Sequence, residues 1–236
     1  MSTGCLVLIP VPLGPNAEGC LPDSVLVRAR AIEDFVVENA KSARAVLKAF
    51  GHPTPIRDIR MQELNEHTPA NEIPSLLEPA LLGRDVGLMS EAGCPAVADP
   101  GSALVEHAHR KGVRVVPLVG PSSILLALMA SGMNGQRFSF HGYLPAREPE
   151  RFDTLRKLEV ASRQHRGVEI FIETPYRNPA MLDACLRLSE ATRLCVACDL
   201  TQPGEWIRSA SIREWKRDRP DIDLARRPAV FLLQSP

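Results

Sequence analysis

The amino-acid sequence predicts an α/β protein built from two domains, and three observations support this fold class. Short apolar runs rich in β-forming residues alternate with helical patterns along the chain, which is typical of α/β sheets. The length of 236 residues, of which 44% are hydrophobic, is enough for one or two packed cores. Prolines and glycines then interrupt the pattern near residues 117–121. We therefore expect an N-terminal domain over residues 1–117 and a C-terminal domain over residues 118–236.

Apolar runs predict the strands of the N-terminal domain, and periodic stretches predict its helices. The strands are expected at residues 5–9, 35–37, 86–89 and 113–116. The helices are expected from Asp23 onward and at residues 42–50, 73–82 and 102–111, the third of them interrupted by Pro74 and Pro79. The helix over residues 42–50 ends at Gly51 with Pro53 just beyond, which is a common C-terminal signal. Residues 56–66 favour neither structure.

The same criteria apply to the C-terminal domain. Strands are expected at residues 138–141, 168–172, 194–198 and 229–233. Helices are expected at residues 122–131, 148–164, 179–190 and 211–216, and the second of these is highly charged. The sequence shows no internal repeat and no low-complexity segment.

The composition narrows the classes of function. The chain has 28 basic and 28 acidic residues, so a nucleic-acid partner has to meet a local basic surface rather than the field of a polycation. The six cysteines stand mostly in apolar runs, which indicates buried thiols and a cytoplasmic protein. The N-terminus has no basic region of a signal peptide, and the apolar stretch at 115–133 is interrupted by proline and glycine, so we expect a soluble protein.

Common cofactor and metal motifs are missing from the sequence. It contains no G-x-G-x-x-G after a strand, no Walker A motif and no H-E-x-x-H. His107 and His109 are two residues apart on a predicted helix and point to different faces, so we expect no shared metal. Cys195 and Cys198 are three apart on a predicted strand and point to opposite sides, which favours core thiols. We expect no metal site.

Four loops directly follow predicted strands, at residues 10–15, 90–101, 119–123 and 173–177. Ligands of open α/β sheets bind beyond the carboxyl ends of the strands. The loop at 10–15 is stiffened by prolines, and the loop at 90–101 combines small residues with Glu91 and Asp99. Tight turns alone would explain any one of these loops, whereas four at equivalent positions favour a shared pocket.

The loop sequences Pro-Val-Pro-Leu-Gly-Pro at 10–15 and Ser-Glu-Ala-Gly-Cys-Pro-Ala-Val-Ala-Asp-Pro-Gly at 90–101 resemble a known family. They are similar to the P-T-P-I-G-N and S-D-A-G-T-P-x-x-x-D-P-G motifs of the tetrapyrrole methylase family of S-adenosylmethionine-dependent methyltransferases. The subgroup that they resemble most 2′-O-methylates a cytidine of small-subunit ribosomal RNA. Its R-F-x-x-x-G-F-L-P motif is matched by Arg137, Phe138 and residues 142–145. The order of these blocks agrees from about Leu6 to Leu233.

The resemblance implies two α/β domains of the tetrapyrrole methylase-like fold, with S-adenosylmethionine in the interdomain cleft. It also implies a homodimer. The implied donor contacts in the first half of the chain are Leu13, Ser90, Ala92, Gly93 and Val97. Those implied in the second half are Ser122, Ser123, Tyr143, Thr174, Pro228 and Ala229.

The expected reaction is therefore methyl transfer, most consistent with ribose 2′-O-methylation of small-subunit ribosomal RNA. A carboxylate or lysine can take the proton of a ribose hydroxyl, and Glu91 is the first candidate, followed by Lys41 and Glu66. The alternative role of Glu91 is to stabilise its own loop through local hydrogen bonds. Basic clusters at 147–166 and 213–227 suit phosphate or are solvated helix faces.

Two other functions remain open at this point. One is methylation of a small molecule such as a tetrapyrrole or corrinoid precursor. The other is a donor-binding module without catalysis, because the subgroup's R-E-L-T-K segment corresponds to residues 198–202, which end in Gln202.

Overall fold

A computed structural model describes residues 3–15 and 19–236 and divides the chain into two compact units, Met1–Ser122 and Ser123–Pro236. This division and the predicted domain boundary at 117/118 both lie in the segment of prolines and glycines that follows the fifth strand. No helix of the described segments is long and apolar enough to cross a lipid bilayer.

The first unit is built on a five-stranded parallel sheet. Its strands are β1 (Cys5–Leu8), β2 (Asp34–Val37), β3 (Arg60–Glu63), β4 (Val86–Met89) and β5 (Arg114–Pro117), in the order β3-β2-β4-β1-β5. The helices are α1 (Asp23–Arg30), α2 (Ala40–Ala49), α3 (Glu78–Leu81) and α4 (Gly101–Arg110). Since all strands are parallel, their carboxyl ends share one edge of the sheet.

Both faces of this sheet are covered, which explains the continuous apolar runs of its strands. Val7, Phe35 and Val37 belong to one buried cluster. Leu6 and Val36, which alternate with them along the strands, belong to another. The register pairs Val37 with Met89, so the loops after β2 and β4 start side by side.

The second unit contains a mixed five-stranded sheet. Its strands are β6 (Phe138–Tyr143), β7 (Val168–Glu173), β8 (Arg193–Cys198), β9 (Trp206–Ser211) and β10 (Ala229–Gln234), in the order β6-β7-β10-β8-β9. Only β6 and β7 run parallel to each other among the described pairs. The helices are α5 (Ser123–Ser131), α6 (Glu150–His165), α7 (Asn178–Cys185) and α8 (Ile212–Arg217).

The core of the second unit is centred on aromatic side chains. The rings of Phe171 on β7 and Phe231 on β10 stack with centroids 5.5 Å apart. Trp215 on α8 is fully buried and donates its indole N–H to the Leu194 carbonyl at 2.9 Å. Burial of these rings is a large apolar contribution, and the indole bond satisfies the polar atom of Trp215.

The structure confirms the predicted α/β class but corrects several elements. The helix expected over 73–82 is divided into a 3₁₀ turn and the short α3, because Pro74 and Pro79 each remove a backbone donor. The helix expected over 179–190 ends at Cys185. Beyond Cys185, the Arg187 and Leu188 N–H groups donate to carbonyls three residues back, at 3.2 and 3.1 Å, so the chain leaves the α-helical pattern.

Strand β9 was not expected from the sequence. It lies at one edge of the second sheet, and all six of its residues are only partly buried. An edge strand of this kind lacks the apolar run that marks a buried strand. Residues 60–63, where the sequence favoured neither structure, form the edge strand β3, whose side chains are mostly exposed.

Candidate functional site

Two loops at the carboxyl edge of the first sheet are tied together by their backbones. They are residues 10–15 after β1 and residues 90–101 after β4. The Val11 N–H donates to the Gly93 carbonyl at 2.9 Å, and the Gly93 N–H donates to the Val11 carbonyl at 3.1 Å. The stiff proline loop therefore holds the small-residue loop in place.

The segment after β5 lies against the same two loops. The Cys94 thiol lies 3.4 Å from the Pro121 carbonyl oxygen. A Cβ on Gly120 would stand 2.3 Å from the side chain of Pro10, so glycine is required for this approach. Three of the loops predicted from the sequence thus converge at one edge of the first unit.

Gly93 is buried and has a left-handed backbone conformation at this site. Its φ is +74°, a conformation that side chains other than glycine rarely adopt. A Cβ there would lie 3.2 Å from Leu13 Cδ2 and 3.5 Å from the Pro121 carbonyl oxygen. A larger side chain at this position would therefore fill the space between the loops.

Asp99 fixes the second half of the loop after β4. Both of its carboxylate oxygens lie 2.9 Å from the Ala96 N–H, and Oδ1 also accepts from the Gly101 N–H at 2.7 Å. Ala96 and Ala98 have φ values of 66° and 60°. Such left-handed alanines are strained and persist only when their surroundings hold them, and Asp99 supplies the bonds that do so.

Glu38 fixes the first half of the same loop from the neighbouring strand. It follows β2 directly, and its Oε2 accepts from the Glu91 N–H at 3.0 Å. The Glu91 carboxylate, in contrast, is exposed and lies 3.3 Å from the Ser42 hydroxyl. Bracing of the loop is thus performed by Glu38 and Asp99, which leaves the Glu91 side chain accessible.

The environment raises the pKa of two of these carboxyl groups. Burial raises the pKa of Glu38 above its usual 4.5; the bond from the Glu91 N–H opposes this, and the charges of Asp99 and Glu91 add to it. The pKa of Asp99 is likewise raised, because the effect of burial exceeds the opposing effect of the bonds from the Gly101 and Ala96 N–H groups. Within residues 3–15 and 19–236, Glu38, Glu91 and Asp99 form no ion pair.

The predicted donor contacts of the first unit lie together in this region. Gly93 is buried, Leu13 and Ser90 are half-buried, and Ala92 and Val97 are exposed. The Ser90 hydroxyl donates to the Ala92 carbonyl at 3.2 Å. Ser122 is the last residue of the first unit. Their contact with a donor stays a prediction.

The predicted contacts of the second unit lie mostly at one edge of its own sheet. Tyr143 pairs with Ile172, and Ala229 pairs with Glu173, so the ends of β6 and β7 and the start of β10 are neighbours. Thr174 follows β7 directly and Pro228 precedes β10. Ser123 is the first residue of α5. These residues too stay predicted contacts.

Glu173 is a buried acid at this edge that sequence reasoning missed. Its Oε1 accepts from Arg177, whose nearest guanidinium nitrogen lies 2.6 Å away, and from the Thr174 N–H at 2.7 Å. Its Oε2 is buried and has no hydrogen-bond partner among the described residues. The sequence signal was available, because Glu173 is the first charged residue after an apolar run.

The alternative proton acceptors belong to other elements than the loop after β4, although Lys41 directly precedes Ser42, whose hydroxyl lies 3.3 Å from the Glu91 carboxylate. Lys41 is exposed in the first turn of α2. Glu66 follows the edge strand β3; its carboxylate lies 3.6 Å from His67, and the side chain is 85% exposed. Strand β2 separates β3 from β4. Of the three candidates, Glu91 alone belongs to the confined loop.

Two polar residues that follow strands, Asn39 after β2 and Asp199 after β8, have local structural roles. The Asn39 side chain caps α2 by accepting from the Lys41 and Ser42 N–H groups at 2.9 and 3.2 Å. Asp199 pairs with Arg227 at 2.6 Å and anchors the turn after β8.

The paired cysteines behave as core residues. Cys195 and Cys198 are fully buried on β8, and burial raises the pKa of their thiols to about 12 and about 11. Such thiols stay protonated at neutral pH and are poor metal ligands and nucleophiles. Among the described residues there is no group of three or more metal-ligating side chains.

Comparison with known proteins now decides the family. The sequence profile described as "Tetrapyrrole (Corrin/Porphyrin) Methylases" matches residues 23–216, which is most of the chain. The chain belongs to the tetrapyrrole methylase family. This methylase is therefore a methyltransferase, and the resemblance found in the loop motifs is confirmed.

Relatives of this methylase carry a more specific name. The "Ribosomal RNA small subunit methyltransferase I" of Escherichia coli O157:H7 is 31% identical over 214 residues, which cover 90% of this chain and 71% of the relative. The protein of the same name from Mesorhizobium japonicum is 32% identical over 209 residues, covering 88% of this chain and 67% of the relative.

Solved structures share the fold of the methylase at low sequence identity. Diphthine synthase matches with a TM-score of 0.67 and 17% identity, over 98% of this chain and 90% of that one. The methyltransferase CobJ matches with a TM-score of 0.64 and 19% identity, over 99% of this chain and 100% of that one. These likenesses support the fold class alone.

Proposed function

We propose that the protein transfers the methyl group of S-adenosylmethionine to a ribose 2′-hydroxyl of small-subunit ribosomal RNA. The observation that carries the proposal is the loop after β4, where exposed small residues stand beside carboxylates without cationic partners among the described residues. The names of the relatives support the RNA acceptor.

The loop after β4 fits a sulfonium donor in shape and charge. Gly93 leaves space that a Cβ would reduce, beside Leu13 and the Pro121 carbonyl. Glu38, Glu91 and Asp99 place negative charge at the same edge, which is complementary to a positively charged sulfonium. When bound, S-adenosylmethionine supplies an electrophilic methyl group.

The chain's contribution to the reaction is positioning. The paired bonds between Val11 and Gly93, together with the Asp99 clamp, hold the loop before any ligand arrives. A preformed site lowers the entropic cost of aligning an acceptor with the methyl group for in-line displacement. Glycine and alanine in this loop allow the backbone to approach the ligand closely.

Glu91 is the residue we propose as the acceptor of the ribose hydroxyl proton. Its backbone is held by Glu38 while its carboxylate is exposed, so the side chain can meet an RNA hydroxyl without breaking the loop. The bracing role considered from the sequence is performed by Glu38 instead. Lys41 and Glu66 are the next candidates if Glu91 is dispensable.

Donor binding and acceptor choice are tested separately. Titration calorimetry with S-adenosylmethionine and S-adenosylhomocysteine should give a saturable heat, and no heat at millimolar ligand would contradict the donor site.

The RNA acceptor is tested with small ribosomal subunits. Subunits from a knockout strain should accept tritium from labelled donor, whereas wild-type subunits should not. Equal background labelling of both would exclude this RNA acceptor and direct the search to small molecules. A methylated product that is missing from knockout cells, and is restored by the wild-type gene but not by a Gly93 variant, distinguishes catalysis from mere donor binding.

We also propose that the methylase is a homodimer and acts in the cytoplasm. The family resemblance supports the dimer, and free cysteines support a reducing compartment. Light scattering at micromolar concentration should give twice the mass of 25.9 kDa, and cell fractionation should recover the protein with the cytoplasmic fraction.

A further inference from the structure

An open cavity of about 610 Å³ in the second unit is lined by three arginines. Arg163 and Arg166 come from the C-terminal end of α6, and Arg193 is the first residue of β8. Gln234 at the end of β10 lies opposite Arg193 in the strand register. None of the residues that line the cavity is an aspartate or a glutamate.

The three guanidinium groups have no carboxylate partner among the described residues. Arg163 donates to the Ser235 hydroxyl at 3.1 Å. Arg193 donates to the carbonyls of Gly132 and Ser131 at 3.0 and 3.3 Å. These partners are neutral, so the guanidinium groups of Arg163 and Arg193 are held in place without an acidic side chain beside them.

Arginines elsewhere in the same unit are paired differently. Arg177 pairs with Glu173 and Arg227 with Asp199, each at 2.6 Å. The acid next to the cavity in sequence, Glu190, is already engaged with Arg213 and Lys216 at 3.4 and 3.7 Å. A chain with zero formal net charge thus places three arginines without acidic side-chain partners, among the described residues, around one cavity.

The end of α6 explains part of this arrangement but not all of it. Cations near a helix C-terminus are favourable because they face the helix dipole, which accounts for Arg163 and Arg166. Arg193 belongs to a strand and has no such reason to be there. Guanidinium groups from separate elements around a cavity are typical of phosphate recognition, since each offers two parallel N–H donors.

We propose that this cavity binds the phosphodiester backbone of the RNA acceptor. The inference rests on the proposed function for the identity of the RNA. Its volume is large enough for more than one phosphate, and Gln234 and Ser235 add neutral donors beside the arginines. The cavity would fix the position of the RNA on the enzyme, and it would not itself read sequence.

The test compares two charge-matched variants of α6. Arg163→Gln/Arg166→Gln removes two cavity charges, and Arg156→Gln/Lys157→Gln removes two exposed charges of the same helix outside the cavity. Filter binding to small-subunit ribosomal RNA transcribed in vitro, without methyl donor, gives the affinity at several KCl concentrations. The cavity variant should bind at least about tenfold more weakly, with its salt slope reduced by about 1.5, while the control changes by less than about threefold.

The outcomes separate this inference from the proposed function. Equal losses in both variants, or an unchanged affinity of the cavity variant, would overturn the inference. A rise in melting temperature with millimolar inorganic phosphate that disappears in the cavity variant, together with unchanged RNA affinity, would assign the cavity to a small anion and also overturn it. If the cavity variant binds RNA more weakly than the control variant as predicted, but the wild-type protein transfers no methyl group to ribosomal subunits, the proposed function fails and the cavity assignment stands.

Discussion

Acidic residues have different partners at the two edges of the first sheet where its strands begin (the amino edge) and end (the carboxyl edge). At the amino edge, the buried Asp34 carboxylate is paired with Arg60 at 2.6 Å and with Arg84 at 3.0 Å. Asp85 accepts from Arg28 at 2.6 Å and from the Cys5 N–H at 2.7 Å. At the carboxyl edge, Glu38, Glu91 and Asp99 hold backbone N–H groups or face solvent and have no arginine partner among the described residues.

The pKa values of the acids follow this difference. The bond from Arg60 lowers the pKa of Asp34 below 3.8 against the opposing effect of burial. Burial alone would raise the pKa of Asp85, but bonds from Arg28 and Cys5 lower it. Burial and neighbouring acids raise the pKa of Glu38. At the amino edge, Asp34 and Asp85 are therefore neutralised by arginines. At the carboxyl edge, the negative charges of Glu38, Glu91 and Asp99 have no arginine partner among the described residues.

The largest expected effect is a loss of donor binding on substitution of a glycine at the carboxyl edge but not of one at the amino edge. Gly93→Trp should abolish donor binding, because the side chain would fill the space next to Leu13 and Pro121. Calorimetry with S-adenosylmethionine checks this. Gly112, with φ +70° before β5 at the amino edge and nothing within 4 Å of a Cβ, is the matched control. Gly112→Ala should cost about 1 kcal/mol of stability and leave binding intact. Normal binding by the Gly93 variant would contradict the donor site.

The next effect concerns turnover at the carboxyl edge. Glu91→Gln keeps the shape of the side chain and removes its charge, so kcat should fall at least about a hundredfold while donor binding is nearly unchanged. Steady-state methylation of the RNA acceptor measures kcat, and calorimetry measures donor binding. A parallel loss of donor affinity and melting temperature would mean that Glu91 braces the loop. Unchanged turnover at saturating donor and acceptor would remove it from the mechanism.

At the amino edge we expect a loss of stability and no loss of donor affinity. Asp34→Asn leaves Arg60 and Arg84 without their shared carboxylate and should lower the free energy of unfolding by about 2 kcal/mol at pH 7; this is less than for a fully buried pair, because both guanidinium groups are half exposed. Urea denaturation checks the value. Since the native pKa of Asp34 is lowered, its contribution is present above pH 3.8 and is lost as the pH falls through the native value. A difference that persisted unchanged at still lower pH would contradict this origin.

The smallest effect is expected from Glu38→Gln. The native pKa of Glu38 is raised, so the wild-type protein loses stability as the pH rises from 4.5 through that native value. The variant escapes this loss and still accepts from the Glu91 N–H through its amide oxygen, so at neutral pH it should be at least as stable as the wild type. Donor affinity should weaken by about fivefold, which corresponds to about 1 kcal/mol for one removed charge. Urea denaturation from pH 4 to 8 tests the expected stability, and calorimetry tests the expected donor affinity. A clear loss of stability at pH 7 would contradict the first expectation, and an unchanged affinity would contradict the second.

The fold was largely predictable from sequence, because buried parallel strands such as β4 are continuous apolar runs whose bounds match the prediction for residues 86–89. Edge strand β9 was not, since partial burial leaves no apolar run. At the site, the loop after β4 was identified from its small residues. Glu38 was not, because its role depends on β2 lying beside β4, and the order of strands is a long-range property that local pattern does not contain.

The paired bonds between Val11 and Gly93 also bear on how the protein folds. They join segments that are far apart along the chain and extend the pairing of β1 with β4. The proposed donor site is therefore complete only when contacts of high sequence separation have formed. A chain in which these contacts are open lacks the proposed site, so donor binding should stabilise the complete first unit against unfolding and not a local fragment of it.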